Sequence, residues 1–265
     1  MTGAPAKTDQ GRVRYSAADG VATLIFDRPA ARNAMTWPMY EELAAGLARI
    51  EADASIAVAV LRGAGGKAFI SGTDIEQFTR FGSGEDGVAY ERRLDSYIDA
   101  LEGLRVPSIA VVEGWAVGGG LGIANACDFR IATPGSRFGV PIARTLGNCL
   151  SPANLRRLTA TLGLAMVKRM LLLAEMPTAE MLAPTGYVQA IVEPAALDAA
   201  IAALCDTLKS HAPVTMRVTK QMLARLSTDA QAKADDLIRA CYGSADFKEG
   251  VEAFVNKRTA KWTGK

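Results

Sequence analysis

Three consecutive glycines, Gly118, Gly119 and Gly120, are the part of this sequence best suited to chemistry. They follow a β-branched apolar run at 108–112, which is typical of a buried strand, and precede the small-residue segment 121–127, which predicts a closely packed helix. Glycines at such a junction let backbone N–H groups approach a ligand without a Cβ in the way. A helix N-terminus also presents unpaired N–H groups to negative charge. The pattern therefore predicts an anion or oxyanion site made of backbone amides.

A second glycine turn lies earlier in the chain, within residues 67–75. There a short strand is expected to run into Gly72 and then into the start of a helix, where Asp74 is placed to satisfy the amides of the first turn. Taken alone, either turn is also explained by the close packing of a helix on a strand. Taken together, the two turns predict a ligand site with two backbone components.

Composition limits the classes of partner. The 265 residues include 30 Lys and Arg against 28 Asp and Glu, a net charge of +2, so nothing favours nucleic acid or an anionic membrane surface. The four cysteines form no CxxC pair and show no zinc spacing, so no metal site is expected. The polar N-terminus lacks a signal-peptide core, and the longest apolar run contains Glu113 and many glycines. We therefore expect a reduced, cytoplasmic protein without membrane insertion.

Two classes of chemistry lack the residues that they need. The single histidine, His211, lies far along the chain from both glycine turns, so a Ser-His-Asp hydrolase is not expected. The glycines do not follow the G-x-G-x-x-G pattern of a dinucleotide site, and residues 63–67 have the wrong spacing for a phosphate-binding P-loop. Hydrolysis and nucleotide-dependent redox chemistry are therefore weak alternatives.

The elements that must position the two turns alternate between strands and helices. Strands are expected at 13–15, 21–26, 56–61, 108–112 and 129–132. Asp19 and Gly20 predict a hairpin between the first two strands, and Thr36 is expected to cap a helix. Residues 80–88 are glycine-rich and are expected to form a mobile loop before a helix at about 88–104. This alternation favours a parallel sheet in an α/β fold.

The second half of the chain is predominantly helical. Helices are expected at 152–161, 163–174, 178–184, 194–210, 213–226, 229–242 and 245–262, with a short strand at 188–192. Arg156 and Arg157 are expected on a solvated helix face. A change in composition near residue 205 indicates an α/β core followed by a helical C-terminal part.

Several segments in addition to the glycine turns make the chain resemble the crotonase family, the enoyl-CoA hydratase/isomerase superfamily. The matching segments follow one another along nearly the whole chain: 27–29, 33–35, 66–69, 72–75, 106–107, 114, 118–121, 127–128, 138–141 and 247–258. The resemblance implies an α/β fold with a ββα spiral core at 1–205 and a helical trimerisation region at 206–265. It also implies a homotrimer, or a hexamer made of two trimers.

The resemblance gives the two glycine turns a joint role. In this family a thioester carbonyl accepts hydrogen bonds from two backbone N–H groups, and the matching positions are Thr73 and Gly119. Preorganised donors of this kind stabilise an enolate-like oxyanion, at roughly 3–4 kcal/mol for each donor. The implied ligand is an acyl-CoA thioester, in which coenzyme A is part of the substrate and not a separate cofactor.

The resemblance also assigns residues to substrate binding. Arg28 and Arg32 would lie near the CoA phosphates, and Lys257 would reach the nucleotide from a neighbouring subunit. Further residues are implied to line the path of the substrate: Ser71, Gly72, Asp74, Ile75, Gly118 and Ile142.

The chain departs from the family at the residues that move protons. Hydratases of the family use two glutamates, and the matching positions here carry Gly122 and Ile142. Neither side chain can act in general acid–base catalysis, which contributes about 10²–10⁴-fold. The oxyanion site is therefore expected without the usual proton machinery, and efficient hydration is doubtful.

Two segments could supply another proton-handling group, and the sequence does not choose between them. The loop 144–151 offers Asn148 to orient a water and Cys149 as a thiol, and Arg144 there could pair with an acyl carboxylate. The segment 85–97 offers carboxylates and a phenol: Glu85, Asp86, Glu91, Asp95 and Tyr97. One hypothesis is thus a lyase or isomerase that draws its acid–base group from one of these segments. The alternative is an acyl-CoA-binding protein without turnover.

Overall fold

The strands form a six-stranded and a two-stranded sheet in the computed structural model, which describes residues 10–228 and 234–265. They are β1 Arg12–Ala18, β2 Val21–Asp27, β3 Val58–Gly63, β4 Ser108–Val112, β5 Trp115–Val117, β6 Phe129–Ala132, β7 Arg137–Gly139 and β8 Ala190–Ile191. The large sheet has the order β1-β2-β3-β4-β6-β8, in which β1 is antiparallel to β2 and every later pair is parallel. β5 and β7 pair in parallel beside it.

Helices connect the parallel strands and make up most of the second half of the chain. They are α1 Trp37–Ala52, α2 Gly84–Glu102, α3 Gly119–Ala126, α4 Pro152–Leu172, α5 Ala179–Leu182, α6 Leu197–Lys209, α7 Pro213–Thr228, α8 Asp235–Tyr242 and α9 Ala245–Val255. Within α4, Gly163 has φ 74° and interrupts the helix between the two helices predicted there. The predicted α/β fold with a parallel sheet is confirmed.

Local chemistry explains the first elements. Asp19 and Gly20 both have positive φ, 51° and 78°, as a two-residue hairpin turn requires. The Thr36 hydroxyl accepts a hydrogen bond from the Met39 N–H at 3.4 Å and caps α1. The hairpin and the cap are confirmed.

Some predicted elements differ from the structure in their bounds. α2 begins at Gly84 and not near 88, because Asp86 accepts hydrogen bonds from the N–H and hydroxyl of Ser83 and closes a capping box over the glycines. The short strand expected within residues 67–75 is present only as isolated residue pairs, Ile70 with Ala116 and Met35 with Thr73.

The helix predicted at 245–262 ends at Val255. Lys257 has φ 51°, and beyond it the chain turns back, so that Arg258 forms an ion pair with Glu249 at 2.6 Å. The first residues of the helix predicted at 229–242 lie outside the described residues, as do residues 1–9 of the predicted core.

The central strands are buried on both faces. Leu61 and Val112 pack with α1, α2 and α3 in the larger apolar cluster, and Val60 and Val111 pack with α6 in a second cluster. Burial on both sides explains why these strands are continuous apolar runs in the sequence. The same burial holds β4 in place. The segment that carries the three glycines leaves the sheet at the carboxyl end of this strand.

The helical C-terminal part is attached to this core through α6 and α7. Residue 205 lies within α6, and its side chain is buried in the second apolar cluster. Lys220 of α7 forms an ion pair with Asp128. The division of the chain at residue 205 stays a prediction. Among the described helices, none combines the length and the apolar composition needed to cross a membrane.

Candidate active site

The two glycine turns lie against each other. Ile70 pairs in parallel with Ala116, so the two segments run side by side until both turn. Gly72 and Gly118 have φ of 119° and 55°, values that favour glycine, and a Cβ on Gly118 would lie only 3.7 Å from the Gly72 Cα. The residues that follow the two glycines, Thr73 and Gly119, are therefore neighbours.

The backbone amides of Thr73 and Gly119 have no partner within residues 10–228 and 234–265. The first bond of α3 runs from the Gly122 N–H to the Gly118 carbonyl, which leaves the Gly119 N–H as a first-turn donor. In the second glycine turn, the Met35 N–H donates to the Gly72 carbonyl, and the Met35 carbonyl accepts from the Asp74 N–H. The Thr73 N–H between them takes no part in this pairing. This arrangement can supply two backbone donors to one oxygen atom.

A group of hydroxyls packs against the two residues that carry these amides. The Thr73 hydroxyl is hydrogen-bonded to the hydroxyls of Tyr40 and Tyr90, each at 2.8 Å. A Cβ on Gly119 would lie 2.6 Å from the Tyr40 hydroxyl, so a side chain has no room there. Burial raises the pKa of Tyr40 well above its usual range and that of Tyr90 to about 12. Both phenols are thus neutral at physiological pH.

Tyr40 and Tyr90 were not among the predicted site residues. Their only signal was helical spacing: Tyr90 belongs to the buried face of α2 with Leu94, Ile98 and Leu101. That spacing predicts burial but does not predict that the two hydroxyls meet at Thr73.

Asp74 caps the next turn, as predicted. Its Oδ1 accepts a hydrogen bond from the Glu76 N–H at 3.0 Å, and its Oδ2 accepts one from Arg28 Nη1 at 2.5 Å. Arg28 is itself buried and also donates to the Ala34 carbonyl. The guanidinium of Arg28 therefore ties the second glycine turn to the end of β2, and its predicted contact with CoA phosphates stays a prediction.

The other predicted CoA-binding residues lie at the rim of the site or beyond it. Ser71 donates its N–H to the Arg32 carbonyl at 3.1 Å, which places Arg32, exposed, beside the second glycine turn. Ile75 is 59% exposed in the turn after Asp74. Lys257 is exposed beyond α9. Their roles stay predictions.

A small cavity, here called the glycine cavity, lies beside the predicted oxyanion site. It is lined by Leu94, Ile98, Gly118, Gly119, Gly122, Asn125, Val140, Leu150, Asn154, Arg157 and Leu158. Its volume is about 20 Å³, which is room for about one water molecule. A Cβ on Gly122 would face α2, 3.5 Å from Ile98 Cδ1. Ile142 is half-buried against the core and does not line this cavity.

Arg157 is buried and not on a solvated face, which corrects the prediction. It donates to Glu102 at 3.0 Å, forms an ion pair with Asp99, and lies 3.8 Å from Asp95. The three carboxylates belong to α2, and together they compensate the charge of the guanidinium as it lines the glycine cavity. Arg156, its neighbour, is exposed as predicted.

The two segments left open as sources of a proton-handling group meet at one larger space, here called the aromatic cleft. Its volume is about 550 Å³. Its walls are Phe78, Phe81, Gly84, Gly87, Val88, Tyr90, Glu91, Arg92, Asp95, Asn148, Cys149, Leu150, Ser151 and Pro152. Leu150 lines both this cleft and the glycine cavity, so the two spaces are adjacent. Asn148 and Cys149 line only the cleft, and both are exposed.

Most of the acidic candidates on α2 already have a structural partner. Asp86 closes the capping box of α2, and Glu85 is exposed beside it. Asp95 accepts hydrogen bonds from the Ser151 hydroxyl at 2.8 Å and the Asn154 amide at 3.0 Å, which hold the start of α4. Tyr97 stacks on Tyr40.

Comparison with known proteins gives one consistent result. The sequence profile described as enoyl-CoA hydratase/isomerase matches residues 16–265. The short-chain-enoyl-CoA hydratase of Clostridium acetobutylicum is 32% identical over 244 residues, which are 90% of this chain and 92% of that protein. The (E)-benzylidenesuccinyl-CoA hydratase of Thauera aromatica is 33% identical over 263 residues, which are 95% of this chain and 99% of that protein.

A solved structure gives the same result for the fold. An enoyl-CoA hydratase/carnithine racemase from Magnetospirillum magneticum has a TM-score of 0.87 to this chain at 32% identity. The match covers 97% of this chain and 98% of that one. The fold implied by the resemblance is confirmed; its trimerisation region stays a prediction.

Proposed function

Because the chain belongs to the enoyl-CoA hydratase/isomerase family, we propose that it binds acyl-CoA thioesters and stabilises an enolate-like oxyanion on the thioester oxygen. The observation that carries this proposal is the contact between Gly72 and Gly118, which makes the amides of Thr73 and Gly119 neighbours. Coenzyme A enters as part of the substrate, and no separate cofactor is proposed.

The proposed chemistry is electrostatic. As a C–H bond next to the thioester breaks, or as a nucleophile adds to the conjugated double bond, negative charge develops on the carbonyl oxygen. Two N–H donors aimed at that oxygen in a water-poor site stabilise the charge by about 3–4 kcal/mol each. The hydroxyls of Tyr40 and Tyr90 hold Thr73 in place, so the donors need little reorganisation during the reaction.

An apolar acyl group fits the surroundings best. The aromatic cleft adjoins the predicted oxyanion site and is walled by rings, with Phe78 and Phe81 both packed against Tyr90. The relative from Thauera aromatica has a ring-bearing acyl group in its name. We propose that this chain also accepts acyl groups with an apolar chain or a ring.

The reaction class is an enoyl-CoA lyase or isomerase reaction. The alternative is binding without turnover. It is favoured by Gly122 and Ile142, whose side chains have no group that can donate or accept a proton. Arg144, Asn148 and Cys149 lie on an exposed loop, and we propose no direct proton transfer for them. The cytoplasmic location stays a prediction.

A panel of thioesters tests the proposal. The purified protein is incubated with crotonyl-CoA, 3-hexenoyl-CoA, cinnamoyl-CoA and butyryl-CoA, and the products are followed by enoyl-thioester absorbance and mass. We expect micromolar binding by calorimetry and turnover of at least one enoyl ester. Binding without turnover across the panel would favour the alternative, and no binding of any ester would contradict the proposal.

A further inference from the structure

We propose that Glu91 is the catalytic acid–base residue of this chain, acting on an acyl group that lies in the aromatic cleft. The inference rests on the proposed function, since it takes the thioester to be held at Thr73 and Gly119. It gives the proton-handling role to a helix other than the two segments that carry Gly122 and Ile142.

The position of Glu91 on α2 places it next to the predicted oxyanion site. Glu91, Leu94 and Ile98 are separated by three and four residues and therefore lie on one face of the helix. Leu94 and Ile98 line the glycine cavity together with Gly119. Glu91 lies one turn closer to the start of α2 and lines the aromatic cleft. It is thus at the junction of the two spaces.

One oxygen of Glu91 is anchored and the other is open. Oε2 accepts a hydrogen bond from the Ser151 N–H at 2.8 Å, at the cap of α4, which fixes the position of the carboxylate. No hydrogen bond to Oε1 is found in the part of the chain that the structure describes. An anchored carboxylate with an open oxygen on an apolar cleft is the arrangement that a general base needs.

The surroundings of Glu91 favour its protonated form more than bulk water does. Burial raises the pKa of its carboxyl above the ordinary value, the Ser151 N–H opposes the rise, and the charge of Asp95 adds to it. The other ionisable groups around it are Tyr90 and Arg92 on the same helix, Tyr40 on α1 and Cys149 on the facing loop. A pKa closer to the working pH makes a carboxyl a better acid and base.

The reaction that a single carboxylate supports is a proton shift within the acyl group. The carboxylate of Glu91 takes a proton from an acyl carbon, and the electron pair of the broken C–H bond moves onto the thioester oxygen as an enolate. The resulting carboxylic acid then returns a proton to the original carbon or to the carbon two positions along. Return to the second carbon moves the double bond. Return to the original carbon after the carboxyl proton has been replaced from solvent gives exchange, so the only other reactant is water.

Solvent exchange separates this inference from the proposed function. The full chain, Glu91→Gln and Glu85→Gln are incubated with butyryl-CoA in D₂O, with uptake of deuterium measured by mass and binding by calorimetry. In Glu91→Gln the amide oxygen still accepts the Ser151 N–H, so we expect binding within about threefold of the unsubstituted chain and exchange slower by about 10²–10⁴-fold. Glu85 is exposed on the same helix, and Glu85→Gln should exchange at the original rate.

Each outcome has a distinct meaning. If no CoA ester binds to the unsubstituted chain, the proposed function itself fails. If the ester binds and Glu91→Gln exchanges at the original rate, the role of Glu91 is overturned while acyl-CoA binding stands. Binding without any exchange or turnover in the unsubstituted chain overturns it as well.

The pH profile of the unsubstituted chain is a second readout that needs no variant to fold. The basic form of Glu91 starts the reaction, so the exchange rate should rise with pH and level off above a pKa higher than the ordinary 4.5 of a glutamate. A rate that stays constant as the pH falls to 4.5 contradicts the proposal.

Discussion

At Gly119 the neighbouring side chains determine which residue type the site can hold. An added Cβ would lie 2.6 Å from the Tyr40 hydroxyl but 3.9 Å from the ring carbon that carries it. The Thr73 hydroxyl oxygen would lie 3.2 Å away, a milder contact, so the severe clash comes from the Tyr40 oxygen. Removal of the Tyr40 hydroxyl should therefore restore most of the room that alanine needs.

We therefore expect Gly119→Ala to lower the free energy of unfolding by about 1–3 kcal/mol, as overpacking does. In a Tyr40→Phe background the same change should cost at least about 1 kcal/mol less, because the hydroxyl is gone. Urea unfolding of the four proteins in this cycle measures the difference. Equal costs in both backgrounds would show that the Tyr40 hydroxyl is not the obstacle.

A substitution at Thr73 can test the role of its side chain separately from that of its backbone amide. Thr73→Val removes the hydroxyl that partners Tyr40 and Tyr90 but keeps the N–H proposed to bind the thioester. We expect a loss of about 1–3 kcal/mol in the free energy of unfolding, because the buried Tyr40 hydroxyl loses its partner.

The affinity of Thr73→Val for butyryl-CoA should stay within a few fold, and Thr73→Ser, which keeps a hydroxyl, is the control. Calorimetry and urea unfolding test both statements. A large loss of affinity with unchanged stability would mean that the hydroxyl itself contacts the ligand.

At the residue scale the sequence could predict the glycines but not the phenols. Gly72 and Gly118 follow from a requirement for positive φ between a strand and a helix, which is a local property. The hydroxyls of Tyr40 and Tyr90 are 33 and 17 residues from Thr73 in the chain, and their meeting depends on how α1 and α2 pack. Nothing in the spacing of either tyrosine encodes that meeting.

At the scale of elements, the start of α4 is held to α2 by charged and polar contacts. Arg157 is enclosed by Asp95, Asp99 and Glu102, and Asp95 and Glu91 accept the hydrogen bonds of Ser151. These contacts align both walls of the aromatic cleft. The prediction of a solvated Arg157 failed because a sequence pattern does not show which charged helix face meets carboxylates on another helix.

Arg157→Leu should lower the free energy of unfolding by about 1–3 kcal/mol. Breaking a fully buried pair costs about 3–5 kcal/mol, and the loss here is smaller because water reaches the three carboxylates in part. Arg156→Leu, on the exposed neighbouring residue, is the matched control and should change stability by no more than about 0.5 kcal/mol. Urea unfolding of both variants measures the effect, and equal results for the two would contradict the role given to Arg157.

At the scale of the whole molecule, the order of strands and helices was predictable and the arrangement of the C-terminal helices was not. Buried apolar runs alternating with helices lead to parallel pairing, as β2, β3, β4 and β6 show. The end of α9 depended on contacts that Glu249 and Asp246 make with residues far along the tail, so helical periodicity overestimated its length.

An apolar surface on α8 and α9 remains uncovered in the single chain. Its members are Ile238 at 46%, Tyr242 at 64%, Val251 at 50%, Phe254 at 86% and Val255 at 72% exposure. Large apolar side chains exposed together on neighbouring helices are typical of interaction sites. Lys257, proposed to reach the nucleotide of a neighbouring subunit, follows this surface directly.

We therefore expect the chain to sediment as a trimer or hexamer and Phe254→Asp to dissociate it. Burying one Phe side chain contributes about 1.5–3 kcal/mol, and an unpaired carboxylate in its place opposes association further. Glu85→Gln, an exposed change on α2, should leave the assembly intact. If Lys257 acts across the interface, dissociated Phe254→Asp should also bind butyryl-CoA more weakly, whereas Glu85→Gln should not. A chain that sediments as a monomer at micromolar concentration would contradict the assembly, and undiminished affinity in the monomer would place Lys257 outside the site.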